Sequence, residues 1–334
     1  MRVLVTGGTG FLGRRLVAQL LARGFDVRCL ARSALEFDTS KDGGRLEVRQ
    51  LDLNRLDRDP SAVEGCDIVY HLASGLKGAT ASLFLTNVVG TRALMEAVAR
   101  ASTGRFVLVS SLATYGTAQL RAGDILDEAC PLDQEPQLRD PYTYSKVAQE
   151  LAAREVRDRL QLPLVVVRPG VIYGPGREVI TSRVGLRVGA FVLQMGGRQR
   201  MPYIYVDNCA KGVLLAGTTP GVDGETFNLV DDELPTGRQI LRMHRRLVGR
   251  VWAFTVLRLA VRPFSRLCVW YHDRSMGQLP AVLTPYKSDA VWKPLRYSNA
   301  KAKARLGWTP EIGLEEGLCR TFAWLREAER TIKN

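Results

Sequence analysis

Residues 2–13 read RVLVTGGTGFLG, a branched apolar run that breaks into glycines and then into a helical pattern. RVLV has the composition of a buried strand. Gly7, Gly10 and Gly13 stand between it and the amphipathic stretch Leu12–Arg23. Glycine meets three demands of such a turn: a tight reversal, close backbone approach to a pyrophosphate, and close packing of helix on strand. The amides and dipole at the helix N-terminus then favour phosphate oxygens. A glycine triplet alone is weak; placed directly after a strand and before a helix, it predicts a dinucleotide site.

The same rhythm continues downstream. Strands are expected at Asp26–Leu30, Leu46–Arg49, Ile68–His71, Phe106–Ser110 and Leu164–Arg168, with helices near 82–101 and 142–160. Nearly all-apolar strands alternating with helices predict an α/β fold, a Rossmann-type doubly wound parallel sheet. After Pro169 the pattern changes: Gly- and Arg-rich loops at 174–200, a strand-like piece at Ile204–Val206, a basic aromatic segment at 238–274, and a last helix ending near Trp324. Residues 1–175 are therefore expected to form the NAD(P)-binding domain, with segments returning near 203–230. Residues 176–202 and 231–334 make a smaller, interleaved substrate-binding lobe with C-terminal helices.

A chain of 334 residues with 46% hydrophobic and 24% charged residues is ordinary for a globular protein. No apolar run reaches the ~20 residues that span a bilayer, and MRVLVTGG is read as carrying no export leader. Six scattered cysteines and three histidines show no metal-ligand spacing, which predicts no metal, no disulfide framework and a cytoplasmic setting. The net charge of +13 is unusual, and residues 238–274 carry nine Arg against one acid, Asp273. Nucleic acid is not expected as a partner, because no helix-turn-helix, zinc-finger or aromatic RNA-binding motif accompanies the charge.

Two further stretches bear on chemistry. An acidic residue at the end of the second strand would hold the ribose hydroxyls of NAD; here DVRCL runs into Ala31 and Arg32, whose guanidinium suits a 2′-phosphate. NADP is the expected cofactor and NAD the alternative, with Asp52 nearer the adenine amino group. Residues 140–150 read DPYTYSKVAQE. On a helix, Tyr142 shares a face with Lys146 and Tyr144 does not. An ammonium nearby favours phenolate, so Lys146 is expected to lower the Tyr142 pKa. Ser110 or Ser111, ending the strand FVLVSS, is placed to hold a substrate oxygen at the C-terminal edge of the sheet.

TGGTGFLG, HLAS at 71–74, NVVGT at 87–91, SSLATYG, Y-x-x-x-K and RPGVIYGPG together resemble the extended short-chain dehydrogenase/reductase superfamily. That group holds NAD-dependent epimerases and dehydratases and the 3β-hydroxysteroid dehydrogenase-like branch. YVDNCAKGVLLA, GETFNLV and KARLGWTPEIGLEEGL carry the likeness to nearly the whole chain. The resemblance implies Ser111, Tyr142 and Lys146 as the catalytic set and Asn87 as a structural asparagine. It places the nicotinamide beside Pro169, Gly170 and Val171. The remaining cofactor contacts are expected from Phe11 and Leu12 in the loop, Leu53 beside Asp52, and Leu72 and Ala73 in HLAS.

Departures from the family pattern narrow the branch. Dehydratases carry an Asp-Glu pair after the catalytic hydroxyl, where this chain has Leu112-Ala113; epimerases commonly carry asparagine where this chain has Gly170. Arg183, Arg187, Arg198 and Arg200 are the candidates to grip a diphosphate if the substrate is a nucleotide sugar. Residues 250–271 form a basic amphipathic stretch with Arg250, Arg258, Arg262 and Arg266 on one arc, Pro263 to kink it, and apolar residues elsewhere. It predicts either cover for an apolar pocket or a peripheral membrane contact. The function expected is an NAD(P)-dependent oxidoreductase interconverting a secondary alcohol and a ketone on a hydrophobic, sterol-like or cyclic small molecule. The alternatives are a nucleotide-sugar 4-epimerase and a non-catalytic dinucleotide-binding sensor or scaffold. A homodimer is expected by analogy with the family.

Overall fold

The computed structural model describes residues 1–32, 44–101, 104–188, 191–195, 199–256, 258–275 and 283–333. Seven strands form the main sheet: β1 (Arg2–Thr6), β2 (Asp26–Ala31), β3 (Leu46–Gln50), β4 (Ile68–His71), β5 (Arg105–Val109), β6 (Leu164–Pro169) and β7 (Thr226–Leu229). They lie in the order β7-β6-β5-β4-β1-β2-β3, and every neighbouring pair is parallel. The order reverses between β1 and β4, so chain crossovers diverge there and open a crevice at the strands' C-terminal ends.

Alternation along β1 sends Val3 and Val5 to one face and Leu4 to the other, and each face has its own core. The first core is covered by α1 (Phe11–Leu21) through Leu12, Leu16, Val17 and Leu20. A helical run built of α2 (Thr80–Phe84), a π-helical turn (Leu85–Val89) and α3 (Gly90–Arg100) covers the second face, beside α4 (Pro141–Leu160). Asp140 starts α4 by accepting from the Thr143 amide at 2.9 Å, and Pro141 fits the first turn, where its missing N–H costs nothing. The helix α5 (Val206–Thr218) returns to the first face with Val206, Cys209 and Val213.

Two strands between residues 200 and 230 differ from expectation. The piece expected at 204–206 forms Tyr203–Tyr205, which pairs with Val171–Tyr173 outside the main sheet. The seventh sheet strand is TFNL, a weak strand pattern because it contains Asn228; that residue is buried there by accepting from the Tyr115 hydroxyl at 2.8 Å.

The rest of the chain gathers α6 (Gly237–Leu247), α7 (Arg258–Arg274) and α8 (Pro285–Trp292) around a three-stranded sheet of Gly185–Val188, Phe191–Gln194 and Trp252–Thr255. The expected single amphipathic stretch over 250–271 thus divides into a strand and a helix that runs through Pro263. Leu257 lies outside the described residues, as do the side chains of Arg258 and Leu259. Val261 and Cys268 pack against Met195, Leu283 and Trp292, leaving Phe264, Leu267, Trp270 and Tyr271 exposed. Two further helices, α9 (Ala300–Leu306) and α10 (Leu314–Lys333), close the fold. The last continues past Trp324 because LREAERTIK contains no helix breaker. Among the described residues no helix is long and apolar enough to cross a membrane.

Candidate active site

The glycine loop comes first. Gly7 has φ +72°, and a Cβ there would lie 2.6 Å from the Ala73 amide nitrogen. A Cβ at Gly13 would lie 2.1 Å from the Gly7 carbonyl oxygen, so the turn and the first helical turn occupy the same space only as glycines. Gly10 precedes α1 in an extended conformation with no side chain capping it, which leaves the first-turn amides without a side-chain acceptor. A close-packed glycine turn ending in an uncapped helix at the switch point fits a dinucleotide pyrophosphate.

The other expected cofactor residues follow the C-terminal ends of the strands. Leu72 and Ala73 follow β4 and are tied to β1: the Leu72 amide donates to the Thr6 carbonyl at 3.1 Å and the Ala73 amide to Thr6 Oγ1 at 3.3 Å. Phe11 lies under the Arg177 guanidinium at 5.8 Å, while Leu12 is buried in the core and offers only its backbone. Asp52 caps the turn that begins at Leu53 by accepting from the Asn54 amide at 2.9 Å. Arg32 is exposed at the end of β2, its carbonyl held by Gln50 Nε2 at 3.0 Å. Pro169 ends β6. A Cβ at Gly170 would fall 2.1 Å from the Pro202 carbonyl oxygen, and Val171 donates its amide to that same oxygen at 2.7 Å.

The candidate acid–base groups come together at the end of β5. Ser111 is half-buried and its Oγ accepts from the Ala113 amide at 3.1 Å. Ser110, the other candidate, is committed elsewhere: its hydroxyl donates at 2.9 Å to Glu150, which also holds Arg168 and, at 2.8 Å, Arg154. Tyr142 faces Ser111. Burial pushes its phenol above the usual value, and the Ser111 hydrogen bond and the Arg177 charge push back. The expected lowering by Lys146 is therefore corrected, because burial dominates. The Lys146 ammonium is itself fully enclosed, donating to the Val109 carbonyl at 2.9 Å and to Gln149 Oε1 at 2.5 Å. Burial pulls it down to about 7, against the upward pull of Glu150.

Asn87, in the π-helical turn, joins two parts of the site. Its side chain accepts from the Gly75 amide at 2.7 Å and donates to Ser145 Oγ at 2.9 Å, and Ser145 donates to the Tyr142 carbonyl at 2.8 Å. Single-turn π insertions of this kind recur at functional sites. Sequence reasoning missed Gln149, Thr91, His71 and Arg177. Gln149 was findable, since it lies one helical turn beyond Lys146 on the same helix; Arg177 carried no local signal. Among the diphosphate candidates, Arg183 and Arg200 each donate to a backbone carbonyl, of Val291 and Leu234, at 3.4 Å. Arg198 and the side chain of Arg187 lie outside the described residues. Among the described residues no group of three His, Cys, Asp or Glu could hold a metal ion.

Comparison with known proteins gives the family. Residues 3–229 match the model of the NAD dependent epimerase/dehydratase family. The chain is 27% identical to the decarboxylating sterol-4-alpha-carboxylate 3-dehydrogenase of Saccharomyces cerevisiae, covering 97% of this chain and 98% of that protein. It is 30% identical to a 3 beta-hydroxysteroid dehydrogenase/Delta 5→4-isomerase of Mycobacterium tuberculosis, over 100% of this chain and 92% of the relative. Among solved structures, MoeE5 in complex with UDP-glucuronic acid and NAD superposes with a TM-score of 0.72 at 23% identity, covering 98% of this chain and 100% of that one.

Proposed function

The chain belongs to the NAD dependent epimerase/dehydratase family and is an NAD(P)-dependent enzyme of the extended short-chain dehydrogenase type; from that premise we propose that it interconverts a secondary alcohol and a ketone on a hydrophobic, sterol-like or cyclic molecule. The observation that carries the chemistry is the facing pair Ser111 and Tyr142 at the C-terminal edge of the sheet, one helical turn from Lys146. The likeness to sterol and steroid dehydrogenases supports the substrate class.

The bound dinucleotide supplies or accepts the hydride. The chain's residues handle the oxygen and the proton. With its Oγ accepting from the Ala113 amide, Ser111 turns its own hydrogen from the Tyr142 oxygen to the substrate oxygen. In reduction Tyr142 Oη gives its proton to that oxygen; in oxidation it takes the proton back. Lys146 offers an ammonium N–H to the ribose and its charge to the phenolate. Arg32 supports NADP over NAD through its exposed guanidinium at the end of β2.

The test is an assay of the purified protein with NADPH or NADP against sterol and steroid 3-ketones and 3-alcohols, beside UDP-glucose and UDP-glucuronic acid, with products identified by mass spectrometry. Redox turnover of the ring substrates is expected. Interconversion of sugar epimers without net NADPH consumption would establish the epimerase reading instead. Cofactor binding with no turnover of any alcohol or ketone would leave the sensor reading.

Two surface features support finer proposals. Phe191 and Phe254 pair at 5.9 Å beside exposed Trp252, and α7 exposes Trp270 and Tyr271 among Arg262, Arg266 and Arg274. Aromatics flanked by arginines suit an anionic bilayer surface; sedimentation with phosphatidylserine vesicles at low salt checks this, and no binding refutes it. Leu85, Val89, Tyr144 and Leu151 form exposed apolar surface on the helices of the second face, which supports a homodimer through them. Light scattering of the wild type and Leu151→Arg decides that.

A further inference from the structure

A buried polar chain runs from the glycine loop's strand to the catalytic-lysine candidate, and its hydrogens can be assigned by counting. The Thr91 hydroxyl donates to the Asn87 carbonyl at 2.6 Å. With its one hydrogen spent, Thr91 Oγ1 must accept from its other two partners, Gln149 Nε2 at 2.7 Å and His71 Nε2 at 2.8 Å. His71 Nδ1 therefore accepts from the Thr6 hydroxyl at 2.7 Å, and Thr6 Oγ1 accepts from the Ala73 amide at 3.3 Å. Thr91 Oγ1 can only accept from Gln149 and the Lys146 ammonium can only donate to it, so the Gln149 amide has one orientation: nitrogen toward Thr91, oxygen toward Lys146.

An ammonium has three hydrogens. Lys146 gives one to the Val109 carbonyl and one to Gln149 Oε1, at 2.9 and 2.5 Å, which leaves a single N–H for a ligand oxygen. Without Gln149 the four-carbon side chain regains rotation about its backbone tie, and the enclosed charge loses an acceptor dipole. We propose that Gln149 is the positioning residue for Lys146, an acceptor clamped by Thr91 and His71 that leaves the lysine one N–H for the dinucleotide's ribose. The inference rests on Lys146 holding the role proposed above.

The surroundings of Lys146 make the clamp the adjustable element. Glu150, the nearest opposite charge on α4, is already held by Arg168, Arg154 and Ser110. His71, facing from β4, stays neutral because burial pulls it down to about 3. Tyr142 on α4 is neutral at working pH, since burial holds its phenol high.

The experiment reads Lys146 directly in the cofactor-free full chain. The pH dependence of Lys146 labelling by an amine-reactive ester is followed by peptide mass spectrometry, and NADPH affinity is followed by its fluorescence. In Gln149→Leu the labelling midpoint is expected to fall by roughly one pH unit and NADPH to bind about tenfold more weakly. In Gln149→Glu the carboxylate keeps an acceptor in place, so the midpoint is expected to rise and binding to stay within about threefold of wild type. Thr91→Val, which frees the amide without touching Lys146, is expected to shift Lys146 in the same direction as Gln149→Leu. Wild-type midpoints in a folded Gln149→Leu, or in Thr91→Val if the first variant does not fold, overturn the proposal. Lys146→Met separates the two readings: unchanged NADPH binding and turnover there would end the catalytic assignment of Lys146, whereas the midpoint shifts would still decide the clamp.

Discussion

Tyr142 and Tyr144, two residues apart on α4, face different surroundings: Tyr142 meets Ser111 at the end of the sheet, while Tyr144 is exposed and lies edge-on against Phe84 at 4.7 Å between ring centroids. Tyr142→Phe is expected to cut kcat by ~10²–10⁴ while NADPH affinity stays near wild type, the loss typical of one positioned acid–base group. Tyr144→Phe keeps the ring edge-on against Phe84 and should leave kcat within about twofold. Steady-state kinetics on both variants checks this, and the reverse ranking would reassign the phenol.

Arg32 stands exposed where an acidic residue would select NAD. Arg32→Ala should weaken NADPH roughly tenfold, about 1.4 kcal/mol, and leave NADH nearly unchanged. Parallel titrations of the two cofactors measure the difference. Equal wild-type affinities would remove the NADP preference.

Gly170 occupies the position where nucleotide-sugar epimerases commonly present asparagine, and the fold explains why none stands there. The Pro202 carbonyl lies 2.1 Å from where a Cβ would sit. Gly170→Asn should therefore destabilise the protein by roughly 2 kcal/mol or more, not convert it to an epimerase. Urea unfolding together with a UDP-glucose assay tests both halves.

Burial holds the Tyr142 phenol above its ordinary value, so the protonated form is resident at neutral pH. Ketone reduction uses that form directly, whereas alcohol oxidation needs phenolate and should accelerate as pH rises. Lys146, drawn down to about 7, is expected to give the reductive profile a basic limb near that pH. Stability has its own dependence. His71 is held at about 3 against an ordinary 6.5, so the unfolded chain binds its proton first as pH falls. The stability this burial carries is full above about 6.5 and is lost toward 3, by about 2 kcal/mol at pH 5 from this one group. Urea midpoints at pH 7 and pH 5 measure the loss.

The first half of the chain was legible because its signals are local. Gly7 is dictated by its own φ of +72° and Gly13 by the Gly7 carbonyl oxygen in the same turn, and β1, β4, β5 and β6 are apolar runs too short to be helices. That Tyr142 and not Tyr144 turns toward Ser111 followed from helical spacing. Signals that depend on distant partners were not legible. Thr226–Leu229 reads poorly as a strand because the donor to its Asn228 side-chain oxygen is Tyr115, more than a hundred residues away in sequence. The 250–271 segment looked like one amphipathic unit because a strand with exposed aromatics and a helix with one buried stripe average to that pattern. The Lys146–Tyr142 electrostatics misled for the same reason: spacing gives neighbours, and burial decides which of them titrates.

Tyr286 on α8 donates to Asp133 at 2.5 Å, and Asp133 holds Arg139, whose guanidinium reaches the carbonyls of Ala113 and Tyr115 just beyond Ser111. Lys293 grips the carbonyls of Thr117, Ala118 and Leu120 in the same loop. The serine's segment is thus braced by side chains at 286 and 293, beyond the residues that match the family model. Grafting a foreign C-terminal segment to change what the enzyme accepts would loosen the reacting end as well, unless a tyrosine at 286 and a lysine at 293 travel with the graft.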